Sequence, residues 1–373
     1  MHPTSPFPTT GYYGPKYFCD REIETQNILS MLTGGESCLL LGIRRLGKTA
    51  LIRHVMGKLP KGWTGIYLDI LHTENEKEFL NSLASGLLQS IPEKSPFGKN
   101  VWNFIKSLRP TISFDALSGI PQVGLDVKDT PKQVKDIFQF LVQQDIPIVV
   151  AIDEFQQIGN YPGKNTDAWL RGLIQSLPNV RFIFAGSQQH ILSSMFTEPG
   201  RPFFKSASPL KIEKIDQQAY AKFIEEKFAD EGRSISPSII YQMLDWTMCH
   251  TYYVQLLCNR VFQTGKKFIE EQLWHQEANR ILQEQEPFFF HYRSLLTIQQ
   301  WKLLKAIALE KEVIEPTSKA FVSSHNLGSP STVLRSLEAL QSKELIYKEY
   351  KKNGMAFYGV YDVLFQRWMD RQV

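Results

Sequence analysis

The sequence predicts an α/β protein: a parallel-sheet core, then an all-helical segment, then a small unit of three helices and a β-hairpin. Three observations predict it. Apolar runs alternate with helical stretches up to about residue 213, the pattern of a parallel sheet covered by helices. Residues 42 to 49 read Gly-Ile-Arg-Arg-Leu-Gly-Lys-Thr, a complete G-x-x-x-x-G-K-[ST] loop between an apolar strand and a helix. The C-terminal residues carry a helix start at Ser329-Pro330 and an Asn353-Gly354 turn between two short β-type runs.

An extended arm over residues 1–17, rich in Pro, Thr and Tyr, has no apolar signal-peptide core. Asp20 is placed to N-cap a helix running to Leu32. A buried strand at Cys38–Leu41 leads into the loop, and a helix starts at Ala50. A strand follows over 65–71, then a helix over 76–90. Between 110 and 127, short β-type pieces around Ser118-Gly119-Ile120-Pro121 predict an inserted hairpin. A helix over 131–144 precedes the near-continuous apolar run 146–152, the signature of a central parallel strand. It ends in Asp153-Glu154-Phe155-Gln156. A helix over 167–176 and a strand over 180–185, ending at Gly186-Ser187, complete the core over residues 1–213.

Residues 214–287 are helical in pattern. Their apolar stripes (Tyr220, Phe223, Ile224 and Phe228; Tyr253, Leu256, Leu257, Val261 and Phe262) face a core. Residues 288–373 hold helices near 298–309 and 319–324, then one opening at Pro330, and strands over 345–350 and 355–360. Three helices and a hairpin make a winged helix-turn-helix.

The chemistry follows from residue types and order. Gly42 and Gly47 let the backbone approach an anion, and the N–H groups of Ile43, Arg44, Arg45, Leu46 and Ala50 can cradle phosphate at a helix start. Lys48 is placed to reach β- and γ-phosphates, and Thr49 to put a hydroxyl on Mg²⁺. Asp153, at the end of a strand, is the candidate second Mg²⁺ residue, and Glu154 the candidate for activating water. Ser187 is a candidate partner for the γ-phosphate or the attacking water.

Composition narrows the class. Of 373 residues, 43% are hydrophobic and 21% charged, values of an ordinary globular chain. Cys19, Cys38, Cys249 and Cys258 show no C-x-x-C spacing, which argues against a zinc site or a disulfide framework. No apolar run reaches the roughly 20 residues that span a bilayer; no membrane association is expected, and the expected compartment is the cytoplasm. The net charge of +4 lies wholly in residues 288–373, which carry 12 Lys+Arg against 8 Asp+Glu. That is a hint of an anionic partner, and within ordinary surface variation.

With these residues assembled, the chain resembles the archaeal-type ATPases of the AAA+/STAND group, in a bacterial-type form. Phe18-Cys19-Asp20-Arg21-Glu22 is similar to the family's F-x-x-R-E box, which implies that Phe18 and Arg21 lie near the adenine. The loop matches, with its basic pair Arg44-Arg45, and so do Asp153-Glu154 and the polar position Gly186-Ser187. Thr251-Tyr252-Tyr253-Val254-Gln255, preceded by His250, resembles the lid motif, which implies that His250 senses nucleotide. Residues 361–368, Tyr-Asp-Val-Leu-Phe-Gln-Arg-Trp, resemble the end of the family's winged helix. One departure stands out: where many members carry Tyr-Gly-Arg, this chain has Phe203-Phe204-Lys205-Ser206. Arg201 and Arg171 are the candidates to replace that arginine at the γ-phosphoryl, within one chain or across subunits.

The resemblance implies a P-loop NTPase core of AAA+ type with a helical lid and a winged helix domain. It implies ATP and Mg²⁺ as ligands, and slow ATP hydrolysis driving a conformational switch. A nucleotide-dependent homo-oligomer is a further expectation. The alternative is a nucleotide-regulated DNA-binding protein with little or no turnover. The helix from Pro330 offers only Arg335 and Glu338 as charges, so the hairpin tip Lys351-Lys352 is the better DNA contact, and a protein partner for the winged helix is an equal expectation. A GTPase is disfavoured because no Asn-Lys-x-Asp occurs. A small-molecule kinase leaves the winged helix unexplained.

Overall fold

A parallel five-stranded sheet forms the centre of the N-terminal half. It is seen in a computed structural model that describes residues 3–115, 120–125, 130–144, 146–163, 165–351 and 353–371. The chain packs as two units. The core unit comprises residues 21–42 and 48–212; the C-terminal unit comprises residues 1–20, 43–47 and 213–373.

In the core unit, helix α1 (Glu22–Thr33) leads to β1 (Cys38–Leu41) and α2 (Lys48–Met56). Then come β2 (Thr64–Asp69), α3 (Glu76–Ser90) and α4 (Pro96–Ser107), followed by the hairpin β3 (Thr111–Phe114) and β4 (Pro121–Gly124). Helix α5 (Thr130–Val142), β5 (Ile148–Asp153), α6 (Thr166–Gln175), β6 (Val180–Ala185), α7 (Gln189–Thr197) and β7 (Ser208–Lys211) complete it. Strand order is β2-β5-β6-β1-β7, and every pairing in the sheet is parallel. β5 is buried along its whole length, as a central strand with helices on both faces must be. Its register with β2 sets Asp69 beside Asp153.

Three differences from the sequence expectation stand out. Helix α4 was not expected; Ser95 caps it through the Gly98 N–H, with Pro96 at its first position. Strand β7 was not expected either: four residues with a central Pro carry no periodic signal, and Pro209 is tolerated because β7 is an edge strand. The N-cap of α1 is Arg21, not Asp20, both residues being left-handed (φ 76° and 58°), so no side-chain cap forms. The inserted hairpin is present, but Ser118 and Gly119 of its turn lie outside the described residues.

The C-terminal unit is built from α8 (Gln217–Asp230), β8 (Ser234–Ile235), α9 (Pro237–Trp246), α10 (Thr251–Gln263), β9 (Phe268–Ile269) and α11 (Glu271–Leu295). The winged helix adds α12 (Ile298–Glu310), α13 (Lys319–Ser324), α14 (Pro330–Ser342), β10 (Ile346–Tyr350), β11 (Ala356–Val360) and α15 (Val363–Asp370). Ser329 caps α14 with Pro330 at its first position, as expected. Val313 bridges to Tyr358 and extends the wing. The expected boundary at 287/288 falls inside α11, a 25-residue helix carrying Pro287. One apolar cluster runs from Tyr220 and Leu257 through Phe289 to Phe365. The helical segment 214–287 and the winged helix therefore share a helix and a core. Among the described residues, no helix is long and apolar enough to cross a membrane.

An aromatic cluster packs around the end of β6. Phe184 on β6 packs against Phe155, Phe196 and Phe203 at ring-centroid distances of 4.6, 5.0 and 5.7 Å. All four are buried. Phe155 directly follows Glu154, so this packing anchors the chain beside that carboxylate. Phe184→Ala is expected to destabilise the protein by about 3–5 kcal/mol, read as a drop in the denaturant midpoint. A change below about 1 kcal/mol would mean the cluster is not a structural anchor.

Candidate active site

Side chains from three elements meet at the C-terminal edge of the sheet. Lys48 opens α2, is buried, and donates from Nζ to the Gly42 carbonyl at 2.6 Å. Thr49, next along α2, donates its hydroxyl to Asp153 Oδ2 at 2.6 Å. Tyr67 of β2 donates to the same oxygen at 3.0 Å. Asp153 Oδ1 accepts the Glu154 N–H at 3.1 Å. Burial pushes the Asp153 carboxyl above the usual carboxylate range, while the Thr49 and Tyr67 bonds pull the other way. Burial likewise raises the Tyr67 phenol, with Asp153 adding to it.

Glu154 sits in the left-handed region at φ 58°, an uncommon conformation for a non-glycine residue. Its Oε2 accepts the Ser187 N–H at 3.0 Å, the Ser187 hydroxyl at 2.8 Å and the Gln156 amide at 2.6 Å. Gly186 makes room for this arrangement, because a Cβ there would lie 1.9 Å from Gln156 Oε1. The four predicted residues Lys48, Thr49, Asp153 and Glu154 therefore lie along one edge, with Ser187 bonded to Glu154.

The middle of the loop, residues 43–47, belongs to the C-terminal unit. Gly47 has φ 97°, a conformation glycine adopts without steric cost. The Arg45 carbonyl accepts the Tyr252 N–H at 3.2 Å, and the Leu46 carbonyl accepts the Thr251 hydroxyl at 3.2 Å, both at the start of α10. Arg45 donates from Nη1 to the Tyr253 hydroxyl at 3.1 Å, and that hydroxyl donates to Asp362 Oδ1 at 3.0 Å. Asp362 caps α15, accepting from the Leu364 and Phe365 N–H groups. The Arg45 guanidinium also lies 4.7 Å from the centre of the Tyr252 ring. Burial lowers the Arg45 pKa, but Tyr253 and Asp362 raise it by more. Arg44 forms an ion pair with Glu344, just beyond α14.

The other predicted residues lie elsewhere. Arg171 of α6 lines a cavity with Ser37, Val180 and Ser208. Those residues mark where β1, β6 and β7 begin, the opposite edge from Asp153, which ends β5. A six-residue strand spans about 20 Å, so Arg171 does not join the Lys48–Asp153 cluster of its own chain. Arg201, between α7 and β7, is exposed and pairs with Glu198 at 3.4 Å. Buried Arg21 bonds to Glu24 at 2.5 Å in the first turn of α1. Phe18 packs edge-on against Tyr12 at 5.7 Å. His250, the N-cap of α10, is buried with its ring edge-on to Tyr253 at 5.0 Å. Ala50 is half-buried in α2. At the wing tip Lys351 is paired with Glu312 at 2.9 Å, and Lys352 lies outside the described residues.

Three residues were missed. Tyr67 and Glu344 carry no motif, and Gln156 was quoted only as part of the acidic strand end. For Tyr67 a signal existed: alternation along β2 puts Tyr67 and Asp69 on one face.

A family model described as "ATPase domain predominantly from Archaea" matches residues 18–245. The chain belongs to this archaeal-type ATPase family. A second model, "Probable winged helix domain", matches residues 287–371. Among solved structures, this archaeal-type ATPase is similar to the Walker-type ATPase PABY2304 of Pyrococcus abyssi (18% identity, 98% and 99% of the two chains, TM-score 0.68). It is also similar to the Aeropyrum pernix ORC2 protein in its ADPNP–ADP complexes (12% identity, 98% and 97%, TM-score 0.61). The Aeropyrum pernix ORC1 protein in complex with DNA is similar as well (12% identity, 99% and 96%, TM-score 0.52). These likenesses show a shared fold. No curated protein matches the sequence.

The residues of this archaeal-type ATPase fit a Mg²⁺–nucleotide. A hydroxyl and a carboxylate, Thr49 and Asp153, are hard oxygen donors of the kind Mg²⁺ takes. Among the described residues, no group of three or more His, Cys, Asp or Glu could hold a metal alone. A shared site with waters and phosphate oxygens suits Mg²⁺, which keeps much of its hydration.

Proposed function

We propose that this chain is a Mg²⁺-dependent ATPase of the AAA+/STAND type that works as a nucleotide-driven conformational switch. In this reading Lys48 and the loop N–H groups bind the phosphates, and Thr49 and Asp153 hold the metal. Bound Mg²⁺ would neutralise charge on the transferring phosphoryl group. Glu154 orients and deprotonates the attacking water, with Ser187 fixing its carboxylate. Slow turnover is supported by the three donors on Glu154 Oε2, since an oxygen so occupied is a weak base until it is released. Arg171, on the far edge of the sheet, has a route to a γ-phosphate only from a neighbouring copy of the chain.

The observation that carries the switch is the wiring of residues 43–47 to the lid and winged helix. Arg44 holds Glu344 beside α14, and Arg45 reaches the cap of α15 through Tyr253. The loop is continuous chain, so any backbone shift on phosphate binding moves these contacts. Hydrogen exchange of the full chain with and without Mg-ATP tests this. The expected result is altered protection at residues 252–254 and 364–365 in the wild type, and loss of that response in Arg45→Ala. Identical exchange with and without bound ATP would leave the switch without support.

DNA binding is the second reading, favoured by the winged helix domain and its fold likeness to a protein solved with DNA. It is the weaker one. The exposed positions of α14 include Ser331, Leu334, Arg335 and Glu338, a poor surface for neutralising phosphates. The Lys351 charge is already matched by Glu312.

A further inference from the structure

We propose that Tyr67 is a positioning residue for the metal site, holding the Asp153 carboxylate in its ligating orientation. The inference rests on the Mg²⁺–nucleotide reading above. Two hydroxyls converge on Asp153 Oδ2: Thr49 at 2.6 Å and Tyr67 at 3.0 Å. They differ in what fixes them. Thr49 belongs to the loop-to-helix junction that receives the nucleotide. Tyr67 belongs to β2, whose ladder with β5 is in register from Thr64–Ile148 to Asp69–Asp153.

Across that ladder Tyr67 stands opposite Ala151, so its phenol reaches Asp153 along the diagonal of one sheet face. The ring is clamped on its other side by Arg53, whose guanidinium carbon lies 3.6 Å from the ring centre. Arg53 follows Thr49 by four residues on α2, so both share one helix face. Thr49, Arg53, Tyr67 and Asp153 thus close a ring of contacts between α2, β2 and β5. Because the Tyr67 bond is set by the sheet, it holds Asp153 in place before any ligand arrives. Such preorganisation removes the cost of orienting the carboxylate when the metal binds.

The test is Tyr67→Phe, which keeps the ring beneath Arg53 and removes only the hydroxyl. The affinity of a fluorescent ATP analogue is measured in EDTA and then across a Mg²⁺ titration, with Mn²⁺ binding followed by electron paramagnetic resonance. The expected result is unchanged affinity in EDTA. The metal concentration for half-maximal tightening should rise about tenfold, the size of a lost bond to a charged group. Arg53→Met, which keeps the phenol but frees the ring, should shift it in the same direction by about twofold. Asp153→Asn, the reference, should abolish the metal dependence. If wild type and Asp153→Asn behave as stated but Tyr67→Phe titrates like wild type, the positioning role is overturned and the metal reading stands. If the wild type shows no metal dependence, both fall. If Tyr67→Phe loses affinity in EDTA as well, Tyr67 supports the fold and not the metal site.

Discussion

Lys48→Ala is expected to weaken ATP binding by about a hundredfold or more, the scale of losing charge-assisted hydrogen bonds from a desolvated ammonium. Lys48 is buried, and its Nζ is held 2.6 Å from the Gly42 carbonyl, inside the loop rather than in solvent. The phosphates of a nucleotide would give this ammonium charge-assisted hydrogen bonds. Alanine is a strong helix former, so α2 should survive the change. Calorimetric titration with ATP, with circular dichroism as the control on folding, measures the effect. Equal affinity in wild type and a folded variant would remove Lys48 from the phosphate site, and with it the main basis for nucleotide binding at this loop.

The second large effect separates binding from turnover. Glu154→Gln should leave ATP affinity within about twofold while lowering phosphate release by about a hundredfold to ten-thousandfold, the range for removing a general base. The amide oxygen can still accept from Ser187, and the side-chain volume is conserved, so the turn at φ 58° and its packing should persist. Only the ability to take a proton is lost. Single-turnover phosphate release and ATP binding, measured on the same preparation, give the two numbers. A variant that hydrolyses at the wild-type rate would move water activation to another group; one that fails to bind would make Glu154 structural.

The parts legible in the sequence were those that local chemistry specifies. The loop at 42–49, the buried strand ending in Asp153-Glu154 and the Ser329-Pro330 helix start each depend on residues adjacent in the chain. All three appear where expected, with α3 (Glu76–Ser90), β6 (Val180–Ala185) and α13 (Lys319–Ser324) matching to the residue. The elements that escaped lacked periodicity. β7 is four residues with a proline and is a strand because β1 offers it an edge. The expected boundary at 287/288 coincides with the start of the winged helix family match at residue 287, while α11 runs on through Pro287. Proline removes one helical donor and crowds the preceding turn, and the shared apolar core evidently outweighs that cost.

The arginines show the limit most clearly. Arg171 and Arg201 are candidates for the γ-phosphoryl because the family's Tyr-Gly-Arg has no counterpart in this sequence. Sequence order cannot say which edge of a sheet a residue reaches. Here α6 carries Arg171 to the edge where strands begin, away from Asp153, and Arg201 is held in a surface ion pair with Glu198.

By itself the sequence determined the class of this protein: a phosphate-binding loop, an acidic strand end and a winged helix, each written in contiguous residues whose backbone needs are local. Tertiary structure alone decided who the partners are. It set Tyr67 and Thr49 on one oxygen of Asp153, Ser187 and Gln156 on Glu154, and Glu344 and Tyr253 on the two loop arginines. These pairs are separated by 2 to 300 positions in the chain. Apart from the local Gln156–Glu154 bond they arise because sheet register and helix packing bring distant side chains within bonding distance, and no local pattern encodes that.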